Sequence, residues 1–229
     1  MSIKMEKIIH QLWVGKYMIP DKDYNFTKGI KQNNPSFEYK FWNNDNLPPL
    51  PEKIEQLRKL YTKHEKWVEL ADMLRYYFVY KYGGLYVDCD YESVAPFDGL
   101  QLDNYEGFIP LVFNKGDITI CNSMFAFKKG HPLMEYVCDQ MYNDCRVTWL
   151  GPHFFGRTIK EYLGLNPDAE DDIVKEKLEA INIKVIDRNT ERPKFAIHHY
   201  SYTWSEENKE KMKIDVNFKS DQVRYAWHR

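Results

Sequence analysis

One stretch constrains the fold of this chain more than any other: WVELADMLRYYFVYKYGGLYVDCDYE, residues 67–92. Its first part is apolar nearly all round (Trp67, Val68, Leu70, Ala71, Leu74, Tyr77, Phe78), so a helix over about 65–81 must be largely buried. Gly83-Gly84 stops that helix, and a short strand, Leu85–Asp90, is expected to follow. Side chains two apart on a strand share a face. Leu85, Val87 and Cys89 therefore form an apolar face, and Tyr86, Asp88 and Asp90 form the other. Two carboxylates roughly 6–7 Å apart on one face repel unless something positive sits between them.

The rest of the chain alternates strands and helices around this unit. KIIHQLWV (7–14) and FEYKFW (37–42) read as strands, and 20–51 between and around them reads as turn-rich, with Pro20, Pro35, Pro48, Pro49 and Pro51. A helix from Pro51 carries Ile54, Leu57, Leu60 and Tyr61 at helical spacing. GFIPLVF (107–113) and ITICNSMFAF (118–127) read as strands joined by Asn114–Asp117. Helices are expected over 132–142, 153–163 and 172–180, then strands INIKVID (181–187) and KFAIHHY (194–200). That alternation argues for an α/β fold in one domain over 1–229, without repeats or a clear linker.

Composition narrows the function. With 34 acidic and 32 basic side chains the net charge is −2, which argues against a nucleic-acid binder. Aromatic content of 16% suits either a Tyr-rich core or a site that stacks on bases and sugars. Cys89, Cys121, Cys138 and Cys145 lack CxxC spacing, so no zinc site is expected, and free thiols imply a reducing, cytoplasmic setting. Neither a signal peptide nor an apolar run of spanning length is legible.

The candidate chemistry gathers near the glycine pair. Asp88 and Asp90 close a strand where ligands sit in α/β folds, outside the carboxyl ends of strands. A hard divalent cation, Mg²⁺ or Mn²⁺, shared with substrate phosphates would offset their repulsion; the bland alternative is a solvated turn. Asp72 and Arg75 share a helix face, either as a buried ion pair or as a ribose acceptor and a phosphate donor facing the cleft. Trp13 at the end of the first strand, and Trp204 in AIHHYSYTW, are core tryptophans or stacking platforms. His199 is either structural or a third ligand for Mn²⁺.

Together, IIHQLWVG, NPSFEYKFW and ELADMLRYYFVYKYGGLYVDCD closely resemble the DXD-containing sugar transferases of glycosyltransferase family 32, whose core is shared with the clostridial toxin glucosyltransferases. The resemblance is dense over 7–98, thins through ICNSMFAF and Gly151-Pro152, and returns at AIHHYSYTW. It implies a GT-A fold, a Rossmann-like mixed sheet flanked by helices, with a nucleotide-sugar half over about 1–130, an acceptor half over 131–204 and a tail over 205–229. It further implies a retaining hexosyltransferase that uses a UDP- or GDP-linked sugar with Mn²⁺ or Mg²⁺. The acceptor would be a glycan or lipid-linked saccharide, in surface polysaccharide synthesis. Carried over by position, Trp13 stacks on the base, and Asp72, Arg75, Tyr86, Asp88 and Asn122 contact the donor. Asp90 and His199 hold the metal, and Trp204 closes over the diphosphate. Asp88, Asp90 and Arg75 are thereby the catalytic set. The family ending HHW-x-G-S-W is replaced by HHYSYTW, with Tyr202-Thr203 for Gly-Ser, which leaves the third metal ligand open. No carboxylate stands out as an enzymatic nucleophile, so front-face substitution is the implied course. A non-catalytic sugar-nucleotide-binding module and an Asp-x-Asp phosphatase are the competing readings. The basic aromatic end RYAWHR suits either peripheral membrane association or an ordinary surface tail.

Overall fold

The computed structural model describes residues 4–112, 119–143 and 150–201. Its centre is a seven-stranded mixed sheet. β1 (Ile8–Trp13) lies between β2 (Glu38–Asn43) and β3 (Gly84–Val87) and is parallel to both. β3 then pairs antiparallel with β7 (Met124–Phe127). β5 (Gly107–Val112) pairs antiparallel with β7 and with β6 (Thr119–Ile120) on one side, and parallel with β8 (Ile183–Asp187) on the other. A separate two-stranded ribbon joins β4 (Tyr91–Ser93) to β9 (Ala196–His198).

Alternation along the strands divides the core between the two faces of the sheet. Ile9, Leu85, Val87, Met124 and Ala126 face one cluster, with Phe97, Leu100 and Ile30. Tyr86, Phe125 and Phe127 face the other, where helices cover them. Those helices include α2 (Glu52–Lys63), α3 (Trp67–Tyr82), α4 (Pro132–Asn143), α5 (Pro152–Tyr162) and α6 (Asp171–Ala180). As its composition requires, α3 is buried on nearly every side from Leu70 to Val79.

Three expectations change. First, the stretch expected to be turn-rich contains α1 (Asp21–Asn33), which buries Asp23, Thr27 and Ile30 at helical spacing. Only one of those is apolar, so hydrophobic periodicity could not reveal the helix. Second, β3 ends at Val87, and Asp88–Asp90 form the turn into β4 rather than the strand's last residues. Third, the strand expected over 118–127 is broken at Cys121–Ser123, across which the pairing with β5 shifts by three residues. β6 and β7 are two pieces of one strand, and the break pushes Asn122 out of the ladder.

The glycine pair is required by geometry. Gly83 and Gly84 both have positive φ, +69° and +97°. A Cβ on Gly84 would lie 2.5 Å from the Ile8 carbonyl oxygen. The turn is also fastened by His10, which is fully buried in β1. Trp42 Nε1–H donates to His10 Nδ1 at 3.1 Å, so His10 Nε2 carries the proton and donates to the Gly83 carbonyl at 2.9 Å. Burial lowers the pKa of this imidazole to about 4.

Candidate active site

β1, β3, β5 and β8 are mutually parallel, so their carboxyl ends share one edge of the sheet. There the chain forms a cleft of about 670 Å³, within the size range of small-ligand sites. Trp13, Asp72, Arg75, Tyr86, Asp88, Asp90 and Asn122 all line it.

Arg75 organises the floor. Its Nη2 lies 3.1 Å from Asp72 Oδ1, and its Nη1 lies 3.2 Å from Asp88 Oδ1 and 2.9 Å from the Asn122 carbonyl oxygen, to which it donates. The guanidinium also packs 4.8 Å from the centre of the Tyr86 ring. Asn122 Nδ2 donates to Asp72 Oδ1 and to the Tyr76 hydroxyl, both at 2.8 Å, and Tyr86 O–H donates to Asp88 Oδ1 at 2.7 Å. The Asp72–Arg75 pair is thus a buried ion pair that also lines the cleft. Burial raises the carboxyls of Asp72 and Asp88, and the Arg75 charge opposes that rise.

Asp90 lies beyond Asp88 in the turn. Burial alone would raise its pKa, but a contact with His198 Nε2 at 3.2 Å and a hydrogen bond from Ser201 N–H at 3.0 Å outweigh it. The carboxylate is held below its usual range. Asp88, Asp90 and His198 each offer a ligand atom within 4.8 Å of the others. Asp90 Oδ1 and His198 Nδ1 are buried without any hydrogen-bond partner. An orphaned carboxylate oxygen on Asp90, beside Asp88 and the His198 ring, fits a divalent cation.

The histidine differs from the expected one. His199 Nε2 contacts Glu92 Oε2 at 2.8 Å, its ring stacks on Phe26 at 4.3 Å, and its backbone N–H donates to the Asp90 carbonyl. His198 is the residue turned toward the aspartates, because the β4–β9 register sets it opposite Tyr91, on whose ring it stacks at 4.4 Å. Trp13 lines the cleft, half-buried, with its Nε1–H held by the Tyr17 carbonyl at 2.8 Å. Trp204, Tyr202-Thr203, Cys145 and the RYAWHR end lie outside the described residues. Cys89, Cys121 and Cys138 are buried free thiols.

Several site residues had no sequence signal of their own. Gln11 Nε2 donates to the Asp88 carbonyl at 3.1 Å. Asp23, buried on α1, accepts from Ser201 Oγ at 2.7 Å and so fastens the end of the chain segment that carries His198. The Tyr76 and Tyr91 hydroxyls bond Asn122 and Ser123, which line the cleft, and the Tyr200 ring packs 4.0 Å from that of His198. Each is brought in by topology rather than by a local pattern.

Comparison with known proteins gives this geometry its context. Residues 20–106 match the family described as "Glycosyltransferase sugar-binding region containing DXD motif". That matched segment holds α3, the glycine turn and both aspartates of the cleft. The chain is 30% identical over 134 residues to inositol phosphoceramide mannosyltransferase 3 of Schizosaccharomyces pombe, covering 58% of the chain and 36% of that protein. It therefore spans about a third of the length of that relative. It is 26% identical over 187 residues to the uncharacterized glycosyltransferase L373 of Acanthamoeba polyphaga mimivirus, covering 74% and 70% of the two chains. Among solved structures, the PaToxG glycosyltransferase superposes with a TM-score of 0.58 at 14% identity over 77% of this chain and 84% of that one. The fold is GT-A. Among the described residues, no helix is long and apolar enough to cross a membrane.

Proposed function

We propose that this chain is a retaining hexosyltransferase that moves a hexose from a UDP- or GDP-linked donor to a glycan or lipid-linked saccharide, in surface polysaccharide synthesis. The observation that carries the reading is the Asp88–Asp90–His198 cluster, with its orphaned Asp90 Oδ1, set beside Arg75 at the carboxyl edge of the sheet. Held by Asp90, His198 and Asp88, Mn²⁺ or Mg²⁺ would supply charge neutralisation for a departing nucleoside diphosphate. His198 takes the role that the family resemblance gives to His199.

The remaining roles follow from what each side chain has free. Trp13 presents a ring at the mouth of the cleft for the base. Asp72 Oδ1 is committed to Arg75 and Asn122, which leaves Oδ2 for a ribose or sugar hydroxyl. The Asn122 amide N–H groups are engaged with Asp72 and Tyr76, so its side-chain carbonyl is the atom available to a sugar hydroxyl. Both Nη atoms of Arg75 are engaged, while its Nε is buried without a partner. Arg75 thus fixes the two carboxylates and contributes its charge to the diphosphate. Tyr86 holds Asp88 in place through its hydroxyl. For Trp204, outside the described residues, the family resemblance alone supplies the role of closing over the diphosphate.

An Asp-x-Asp phosphatase is disfavoured by the same contacts. Its nucleophile would be Asp88, yet Tyr86 and Arg75 engage both Asp88 oxygens. The test is slow donor hydrolysis with UDP-, GDP- and CMP-sugars in Mn²⁺, comparing wild type with Asp90→Asn. The variant is expected to keep its circular dichroism spectrum and lose metal-dependent turnover by at least about 100-fold. Full activity in the folded variant would sink the metal assignment. Absence of hydrolysis and transfer in the wild type, with donor still bound, would favour a binding module.

A further inference from the structure

A cation in the cleft is left over once the donor groups are assigned. Arg188 immediately follows β8 and lines the same cleft as Asp90 and Asn122. Its Nη2 donates to the Tyr200 hydroxyl at 2.6 Å. Its Nε is buried and has no hydrogen-bond partner. Among the described residues no carboxylate lies within 4.0 Å of its guanidinium, whereas Arg75 has two. Nearby Arg192 differs, since it is buried against the Tyr91 ring and does not line the cleft. A half-buried guanidinium with an orphaned N–H and no counter-charge is costly unless an anion visits it.

The sheet order says which anion. Trp13 ends β1, and Asp88 follows β3, the adjacent strand. Arg188 follows β8, three strands further across, through β7 and β5. At about 4.8 Å per strand the end of β8 is roughly 14 Å of sheet from the end of β3, on the side away from Trp13. The Arg188 side chain reaches back from it, its guanidinium 5.5 Å from the centre of the Tyr200 ring, which packs 4.0 Å from that of His198. A nucleotide reaching from Trp13 to the aspartates leaves Arg188 beyond them, on the side away from the base. That side is where a second substrate must approach.

We infer that Arg188 is a recognition site for a phosphate group carried by the acceptor. The guanidinium fork, with one Nη hydrogen-bonded to Tyr200 and Nε–H unpaired, is suited to an oxyanion rather than to a neutral hydroxyl. This names the acceptor class of the proposed transferase and rests on that reading for the order of the substrates. The donor's own diphosphate is the other source of the same chemistry, and the experiment separates them.

The wild-type chain is titrated calorimetrically with UDP or GDP in Mg²⁺, then with inorganic phosphate at saturating nucleotide. Phosphate is expected to bind alongside the nucleotide. Arg188→Gln is expected to weaken phosphate at least tenfold while nucleotide affinity stays within twofold. Arg188→Lys, which keeps the charge without the fork, is expected to fall between and serves if the glutamine variant does not fold. Equal loss of nucleotide affinity in Arg188→Gln would assign the arginine to the donor and overturn the inference. Phosphate binding that is absent, or indifferent to Arg188, would overturn it too. If neither nucleotide binds wild type, the transferase reading fails by itself, and the same phosphate titration without nucleotide still decides the role of Arg188.

Discussion

Arg75 is held between two carboxylates, and that position makes it the most sensitive single residue in the site. Its side chain is 9% exposed, so its contacts with Asp72 and Asp88 are barely screened by water. Removing one partner leaves the others buried and uncompensated. Arg75→Ala is expected to destabilise the chain by about 3–5 kcal/mol in urea unfolding. A loss under 1 kcal/mol would mean that water reaches the carboxylates. A second prediction separates the two histidines. His198→Ala is expected to weaken Mn²⁺ binding, read by electron paramagnetic resonance of the metal alone, at least about tenfold. His199→Ala should leave it within twofold; the reverse pattern would restore His199 as the ligand. At this scale the sequence was informative where residues act as a local motif. Asp72, Arg75, Tyr86, Asp88 and Asp90 lie within 19 positions and meet in one cleft. It was not informative about parity at the far end. On a three-residue strand, which of two adjacent histidines faces inward depends on register with a partner about 100 residues away.

At the scale of elements, the site exists because α3, the glycine turn and β3 are welded to β1. Gly84 lets the β3 backbone approach Ile8, and His10 ties the Gly83 carbonyl to the same strand. Gly84→Ala would place a Cβ 2.5 Å from a backbone oxygen at a φ of +97°, where nothing flexible can give way. Thermal unfolding should report a loss of about 1–3 kcal/mol or more, with Asp88 displaced enough to weaken nucleotide binding in parallel. A variant of wild-type stability would show that the backbone can reroute. The unit was legible because a helix apolar on all sides, two glycines and an alternating strand each have one structural solution. By contrast, α1 was illegible. It starts after Pro20, carries mostly polar residues and buries Asp23 and Thr27 as well as Ile30. Those polar positions are buried because Asp23 meets Ser201 from the opposite end of the chain and the Thr27 hydroxyl donates to the Tyr24 carbonyl within the helix. No local rule anticipates a partner 178 residues distant.

Across the whole molecule, the buried polar groups make stability depend on pH in opposing ways. His10 is the clearest case, because its neutral form bridges Trp42 of β2 and the turn before β3. Its pKa falls from 6.5 to about 4 on folding, chiefly through burial. Between those values the unfolded chain binds a proton that the native chain does not, so stability rises with pH across the interval. The contribution is fully present above pH 6.5 and lost on the way down to pH 4. Two and a half pKa units correspond to about 3 kcal/mol. Asp72, Asp88 and Asp23 act in the other direction, since burial raises each of them and their contribution declines as pH rises. The wild-type profile alone would therefore hide His10. The stability difference between wild type and His10→Gln, measured by urea unfolding from pH 7 to pH 4, isolates it. That difference is expected to shrink by about 2–3 kcal/mol as the pH falls, because only the wild type carries the titrating imidazole. A constant difference would mean that His10 takes up its proton inside the folded core, and the hydrogen bonds assigned to its neutral form would have to be redrawn.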